Sequence, residues 1–239
     1  MTYCVGVCTE EGLVMVSDSR THAGVDYIAS FRKMCTWTAA DRVICLLSAG
    51  NLGTSQSVVN LLQQRQDEGV LAVSSMFDLA ALLGSTLREV SLRDEQVAQQ
   101  NPHVDFSCSF LLGGQIAGGD MRLYNIYPQG NFIESTPETP YLQIGESKYG
   151  KPILDRVIRY DIPLMQAAKC VLVSFDSTLR SNLSVGMPLD LLLYRRDSLK
   201  VGLQARLDEG DLYLSHLRQS WSSGLRQLFM TIPDPPWSI

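Results

Sequence analysis

Thr2, Asp18 and Lys33 are the three polar residues in the first third of this 239-residue chain whose types could do chemistry together. Thr2 directly follows Met1 in the opening MTYCVGV. Removal of Met1 would leave an α-amine and a hydroxyl on one residue, a base and a nucleophile in one place. Asp18 ends the apolar run LVMV, and Lys33 stands beside the segment MCTW. Taken singly, each has an ordinary reading as a start-site residue, a strand-end carboxylate or an exposed charge. They become a constellation only if the fold brings them together.

Hairpin geometry supplies part of that. Residues 2–8 alternate around Cys4, Gly6 and Cys8, TEEG reads as a tight turn, and LVMVSDS is a second apolar strand. If 2–8 pairs with 13–19, the two far ends meet and Thr2 lands near Asp18. A polar loop, RTHAGVDYIAS, leads into the strand FRKMCTW, and after AADR comes the short buried strand VICLLSAG.

The period then changes. Helices are expected from Asn51, a good cap, to about Gln66, and from about Ser75 to Gln100, where the Asn101-Pro102 pair stops the second. Strands return in DFSCSFLLGG, MRLYNIY and FIES, joined by turns at QIAGGD and PQGN, and a proline-marked TPETPYLQIG enters another short strand. Tyr149 to Tyr160 and Leu164 to about Asp176 read as helices. LDLLLY and VGLQARL read as strands, and 211–229 as an amphipathic helix before a proline-rich tail. Leu212, Leu217, Trp221, Leu225 and Phe229 lie near one side of that last helix, which fits core packing and an interface equally well. No linker or repeat interrupts this order, so residues 1–239 are expected to form one domain ending in that helix and tail. Runs of strands and paired helices, without βαβ alternation, predict an α+β fold with antiparallel sheets covered by helices.

Composition narrows the function. A hydrophobic content of 45% supports a large core, and the formal net charge of −5 with dispersed basic residues argues against nucleic-acid binding. There is neither an apolar run long enough for a bilayer nor a secretory signal, so the expectation is a cytoplasmic protein without a membrane partner. The six cysteines are scattered in apolar stretches, as reduced buried thiols are. Cys4 and Cys8 share a strand face, but at roughly 3.3 Å per residue they stand about 13 Å apart, too far for one zinc. His22, His103 and His216 have no metal-ligand spacing, and no metal or cofactor is expected. A Ser/His/Asp hydrolase lacks its G-x-S-x-G elbow. The glycines of GGQIAGG join two strands instead of opening a helix, so they do not cradle phosphate.

The stretch MTYCVGVCTEEGLVMVSDSRTHAGVDYIASFRKM, with the strand ending SAG, resembles the start of a proteasome β-type subunit of the N-terminal-nucleophile hydrolases. The likeness continues through FLLGG, MRLYNIYPQGN, IGESKYGKPILD and a helix ending SFDS, to about residue 207. It implies a four-layer αββα sandwich of two antiparallel sheets between helical layers. It further implies that Thr2, after loss of Met1, is the nucleophile and that Asp18 and Lys33 are its charged partners. By the same resemblance the Gly50 amide would meet the oxyanion, and Ser147, Asp176 and Ser184 (or Ser181) would support the N-terminus.

The chemistry suits these types. A threonine hydroxyl needs a base, and an ordinary α-amine pKa of about 7.7 to 8.0 lies near neutrality. Lys33 would lower that pKa by repulsion, while Asp18 would hold the ammonium of Lys33. The implied activity is cleavage of peptides or small amides by a homo-oligomer, in a closed ring or an open helix, with an ATP-dependent unfoldase as a partner by analogy. The competing reading is a non-catalytic scaffold subunit, against which the presence of all three residues argues.

Overall fold

The computed structural model describes residues 1–22, 28–65, 69–100 and 104–237. Strands come first: β1 (Tyr3–Cys8), β2 (Gly12–Ser17), β3 (Arg20–His22), β4 (Ile28–Ser30), β5 (Met34–Ala39) and β6 (Arg42–Gly50). Helices α1 (Leu52–Gln64) and α2 (Met76–Gln100) follow, then β7 (Cys108–Ile116), β8 (Arg122–Ile126), β9 (Phe132–Glu134) and β10 (Tyr141–Gly145). The chain continues through α3 (Lys151–Val157), α4 (Leu164–Ser181), β11 (Leu189–Arg195), β12 (Val201–Leu207) and α5 (Leu212–Thr231).

Two five-stranded antiparallel sheets result, ordered β10-β1-β2-β11-β12 and β5-β6-β7-β8-β9, beside a two-stranded β3–β4 ribbon. Alternation along each strand decides which face meets which layer. Val5, Val7, Val14 and Val16 pack with Ala167, Val171 and Phe175 of α4, while Leu13, Met15 and Cys4 turn the other way, to Val43, Cys45 and Leu47 of β6. On the far side, Ile44 and Leu46 meet Val58 of α1 and Leu79, Leu83 and Leu87 of α2. Three apolar interfaces therefore separate four layers, and the fold is the αββα sandwich. Cys4 and Cys8 do share the inter-sheet face.

Several elements differ from the sequence expectation in ways that bear on function. The loop at 20–30 contains the β3–β4 ribbon, with Arg20 opposite Ser30; residues 23–27 of that loop, Gln66, and the Asn101-Pro102 stop lie outside the described residues. β7 runs through Gln115 and Ile116, which the sequence places in a turn. The helix expected over 149–160 is only Lys151–Val157, because Gly150 packs on the Tyr3 hydroxyl and Ile158 is already extended. Conversely, α4 does not stop at Asp176. Neither glycine nor proline follows, and the helix runs to Ser181, capped at Asn182. The stripe on α5 splits: Leu217 is buried and Trp221 half-buried, while Leu212, Leu225 and Phe229 are exposed. No helix among the described residues is long and apolar enough to cross a membrane.

Candidate active site

The β1–β2 hairpin sets the first two residues of the site. Its register pairs Cys4 with Ser17, and beyond the last strand pair the Asp18 N–H donates to the Tyr3 carbonyl at 3.1 Å. The Tyr3 N–H returns a bond to Asp18 Oδ1 at 3.0 Å. Thr2 thus leaves the strand beside Asp18, as the hairpin reading expects. Across the hairpin's other edge the Glu146 N–H donates to the Thr2 carbonyl at 2.7 Å, which fixes the nucleophile candidate from a second side. Gly145 makes that approach feasible. Its φ is +82°, and a Cβ there would overlap the Thr2 carbonyl oxygen.

Lys33 comes from the other sheet. It precedes β5, where Ser48 of β6 donates its N–H to the Lys33 carbonyl at 3.0 Å. The side chain crosses the inter-sheet space, and Nζ donates to Asp18 Oδ1 and to the Arg20 carbonyl, both at 2.7 Å. Both charged groups are buried, Asp18 at 0% and Lys33 at 6% exposure. A buried ion pair survives its desolvation cost only when the remaining valences are filled. Here Asp18 Oδ2 also accepts from the Arg20 and Gly186 N–H groups, each at 3.2 Å. Burial pushes the Asp18 carboxyl up, against the pull of Lys33 and of the Tyr3 and Gly186 amides.

The α-amine at this site belongs to Met1, one residue before its place after processing. Its ammonium is held below the usual value, first by burial and then by Lys33, while Asp18 and Glu146 oppose the change. Met1, Thr2 and Lys33 open on a recess of about 120 Å³, which Gly50 also lines. Gly50 has φ +107° and lies against Ser107 and Cys108, so the end of β6 stays close to β7 without a side chain in the way. A second recess of about 190 Å³ adjoins the first through Lys33, Ser48, Leu52 and Ser55.

The remaining sequence candidates are not brought into that recess. Ser147 and Ser184 lie in turns nearby, where their N–H groups donate to Glu146 Oε1 and Asn182 Oδ1, each at 2.9 Å. Among the described residues, neither serine hydroxyl bonds to Thr2, Asp18 or Lys33. Ser181 is exposed at the last turn of α4. Asp176, inside α4, faces α5 instead, where its Oδ1 accepts from Arg218 Nε at 2.7 Å. His216 is exposed on α5, and His103 lies outside the described residues. Among the described residues there is no group of three or more His, Cys, Asp or Glu able to hold a metal ion.

Sequence reasoning passed over Glu146 and Asn182. Glu146 is buried, its Oε1 accepting from the Ser147 and Lys148 N–H groups at 2.9 and 2.7 Å and its Oε2 from Asn182 Nδ2 at 2.6 Å. Gly145, the glycine within IGES, required where a backbone passes close, was the available signal.

The sequence profile of the proteasome subunit family matches residues 2–189. The chain belongs to that family. Its curated relatives include proteasome subunit beta 1 of Pyrobaculum aerophilum, 23% identical over 197 residues, with 82% of this chain and 91% of that protein covered. Solved structures of Anbu (ancestral beta-subunit) proteins are much nearer. The one from Yersinia bercovieri is 50% identical with a TM-score of 0.93, covering 99% of this chain and 100% of its own. The one described as a helical assembly of the Anbu complex from Pseudomonas aeruginosa is 55% identical, also at 0.93, over 98% of both chains. This proteasome-family chain thus shares its whole extent with Anbu.

Proposed function

We propose that the chain is a cytoplasmic threonine-type peptidase or amidohydrolase that acts as a homo-oligomer after loss of Met1. The observation that carries the reading is the buried Lys33–Asp18 pair beside Thr2, contributed from two different sheets. In this reading the Thr2 α-amine takes the proton of its own hydroxyl, and Oγ attacks the substrate carbonyl carbon. Lys33 keeps the amine unprotonated near neutrality, and Asp18 keeps Lys33 in place and charged. The Gly50 N–H meets the oxyanion. Collapse of the tetrahedral intermediate breaks the C–N bond, with the α-ammonium returning the proton to the leaving amine. A water molecule, deprotonated by the same amine, then hydrolyses the Thr2 ester and restores the hydroxyl.

Self-association is supported by the helical assembly of the Pseudomonas aeruginosa relative, and the exposed apolar residues Leu225, Leu228, Phe229 and Ile232 of α5 and its end suit contact with a second copy. A peptide bearing an electrophilic warhead tests the chemistry. Thr2→Ala should fold and assemble as the parent does while losing covalent labelling; undiminished labelling of the variant would remove Thr2 from the nucleophile's role.

A further inference from the structure

The recess that holds Met1, Thr2 and Gly50 does not end at the nucleophile. Through Lys33, Ser48, Leu52 and Ser55 it opens into the second recess of about 190 Å³, which lies between helix α1 and the β5–β6 pair. Cys35 and Leu46, cross-strand partners in that pair, line it from the sheet. Leu52, Gln56, Val59 and Asn60 recur at helical spacing on one face of α1 and line it from the other side. One turn further along α1, Gln63 Nε2 donates to Cys35 Sγ at 3.8 Å and holds the helix across β5. An acyl group whose carbonyl carbon meets Thr2, with its oxygen at the Gly50 N–H, has this second space beside it for its side chain.

The charge of that space is one-sided. Its lining contains two cations, Arg32 and Lys33, and, among the described residues, no carboxylate. Lys33 is already matched by Asp18 at 2.7 Å. Arg32 is exposed and takes part in no ion pair among the described residues. Burial pushes the Cys35 thiol up, so it stays uncharged near neutrality and adds no negative charge. Although the chain as a whole has a formal net charge of −5, the space beside its nucleophile thus carries a surplus of positive charge.

We propose that Arg32 makes this second recess a receptor for an acidic side chain, so that the preferred substrates are peptides or amides with a carboxylate-bearing residue on the acyl side of the scissile bond. This rests on the threonine reading and names its substrate class. Leu46, Cys35 and Val59 receive the aliphatic stem, and the Arg32 guanidinium meets the carboxylate in a charge-assisted pair, with the amides of Gln56 and Asn60 as neutral donors in the same space. A lysine or arginine side chain there would face two cations with no acid to receive it. A purely aliphatic one would leave the guanidinium unmatched. Because Arg32 is exposed, water and salt screen the pair, and the preference for Glu over its neutral isostere Gln should be roughly three- to tenfold.

One peptide series, read in two ways, tests this. Acetylated tripeptide amides that differ only in a final Glu, Gln, Leu or Lys are titrated into Thr2→Ala protein, which keeps the recess and lacks the nucleophile. The same tripeptides carrying a fluorogenic amine are offered to the parent. Glu should exceed Gln by the stated margin in affinity and in kcat/KM, and the margin should shrink as salt rises. In both backgrounds Arg32→Gln should bring Glu and Gln level, and Arg32→Glu should transfer the preference to Lys. Absent or equal binding of Glu and Gln by Thr2→Ala protein, tighter binding of Leu, or a Glu preference that persists in Arg32→Gln overturns the proposal. Turnover by the parent at one rate for all four tripeptides overturns it too, and leaves the threonine reading standing. A Glu preference in binding, with no member of the series turned over by the parent, overturns the threonine reading and leaves the recess as a site for acidic side chains.

Discussion

Lys33 directs two protons of its ammonium to fixed oxygens, Asp18 Oδ1 and the Arg20 carbonyl, so its charge is anchored beside the N-terminus and does not sample solvent. Burial first, and then that charge, hold the N-terminal amine, here that of Met1, below the ordinary α-amine value, so its free base is populated at lower pH. Lys33→Met removes this contribution and leaves the opposing effect of Asp18 uncompensated. The acidic limb of the acylation profile should move to higher pH; a profile displaced to lower pH contradicts the assignment. Asp18→Asn has a different consequence. It leaves the Lys33 ammonium buried without its counter-ion, and denaturant unfolding should report a loss of about 3 kcal/mol. A variant as stable as the parent would mean that the pair contributes little to the fold.

At the scale of elements, the site depends on strands arriving at the right height. β10 reaches Thr2 only because Gly145 adopts a left-handed backbone against the Thr2 carbonyl. Gly145→Ala should introduce about 1–3 kcal/mol of backbone strain and shift Thr2, cutting probe acylation at least tenfold while far-UV circular dichroism stays near the parent's. Unchanged acylation would show that the approach of β10 does not position Thr2. The β1–β2 hairpin was legible in the sequence, since alternating apolar residues flank the TEEG turn and the pairing follows from it. The union of Lys33 with Asp18 was legible only through resemblance, because the two belong to different sheets and meet through packing that no local pattern encodes. Glu146 and Asn182, 36 positions apart, meet through loop geometry and left no periodic trace. The end of α4 was not legible at Asp176, because the sequence offers no breaker there and the helix runs on to Ser181; Asp176 itself pairs with Arg218 of α5.

At the scale of the molecule, two sheets with helices outside account for three apolar interfaces, and the amphipathic helix α5 is held to them mainly by its first half. Its second half presents Leu225, Leu228 and Phe229 to solvent. If those residues join copies of the chain, Leu225→Glu with Phe229→Glu should lower the assembly mass seen by light scattering without altering secondary structure, and an unchanged mass would exclude them from the contact. Above all of this stands one covalent fact, the presence or absence of Met1. Intact-mass measurement with peptide mapping, before and after treatment with an electrophilic peptide, reads it directly. The account predicts a chain beginning at Thr2 and a single adduct on that residue. A chain that retains Met1, or an adduct on any other residue, would contradict it.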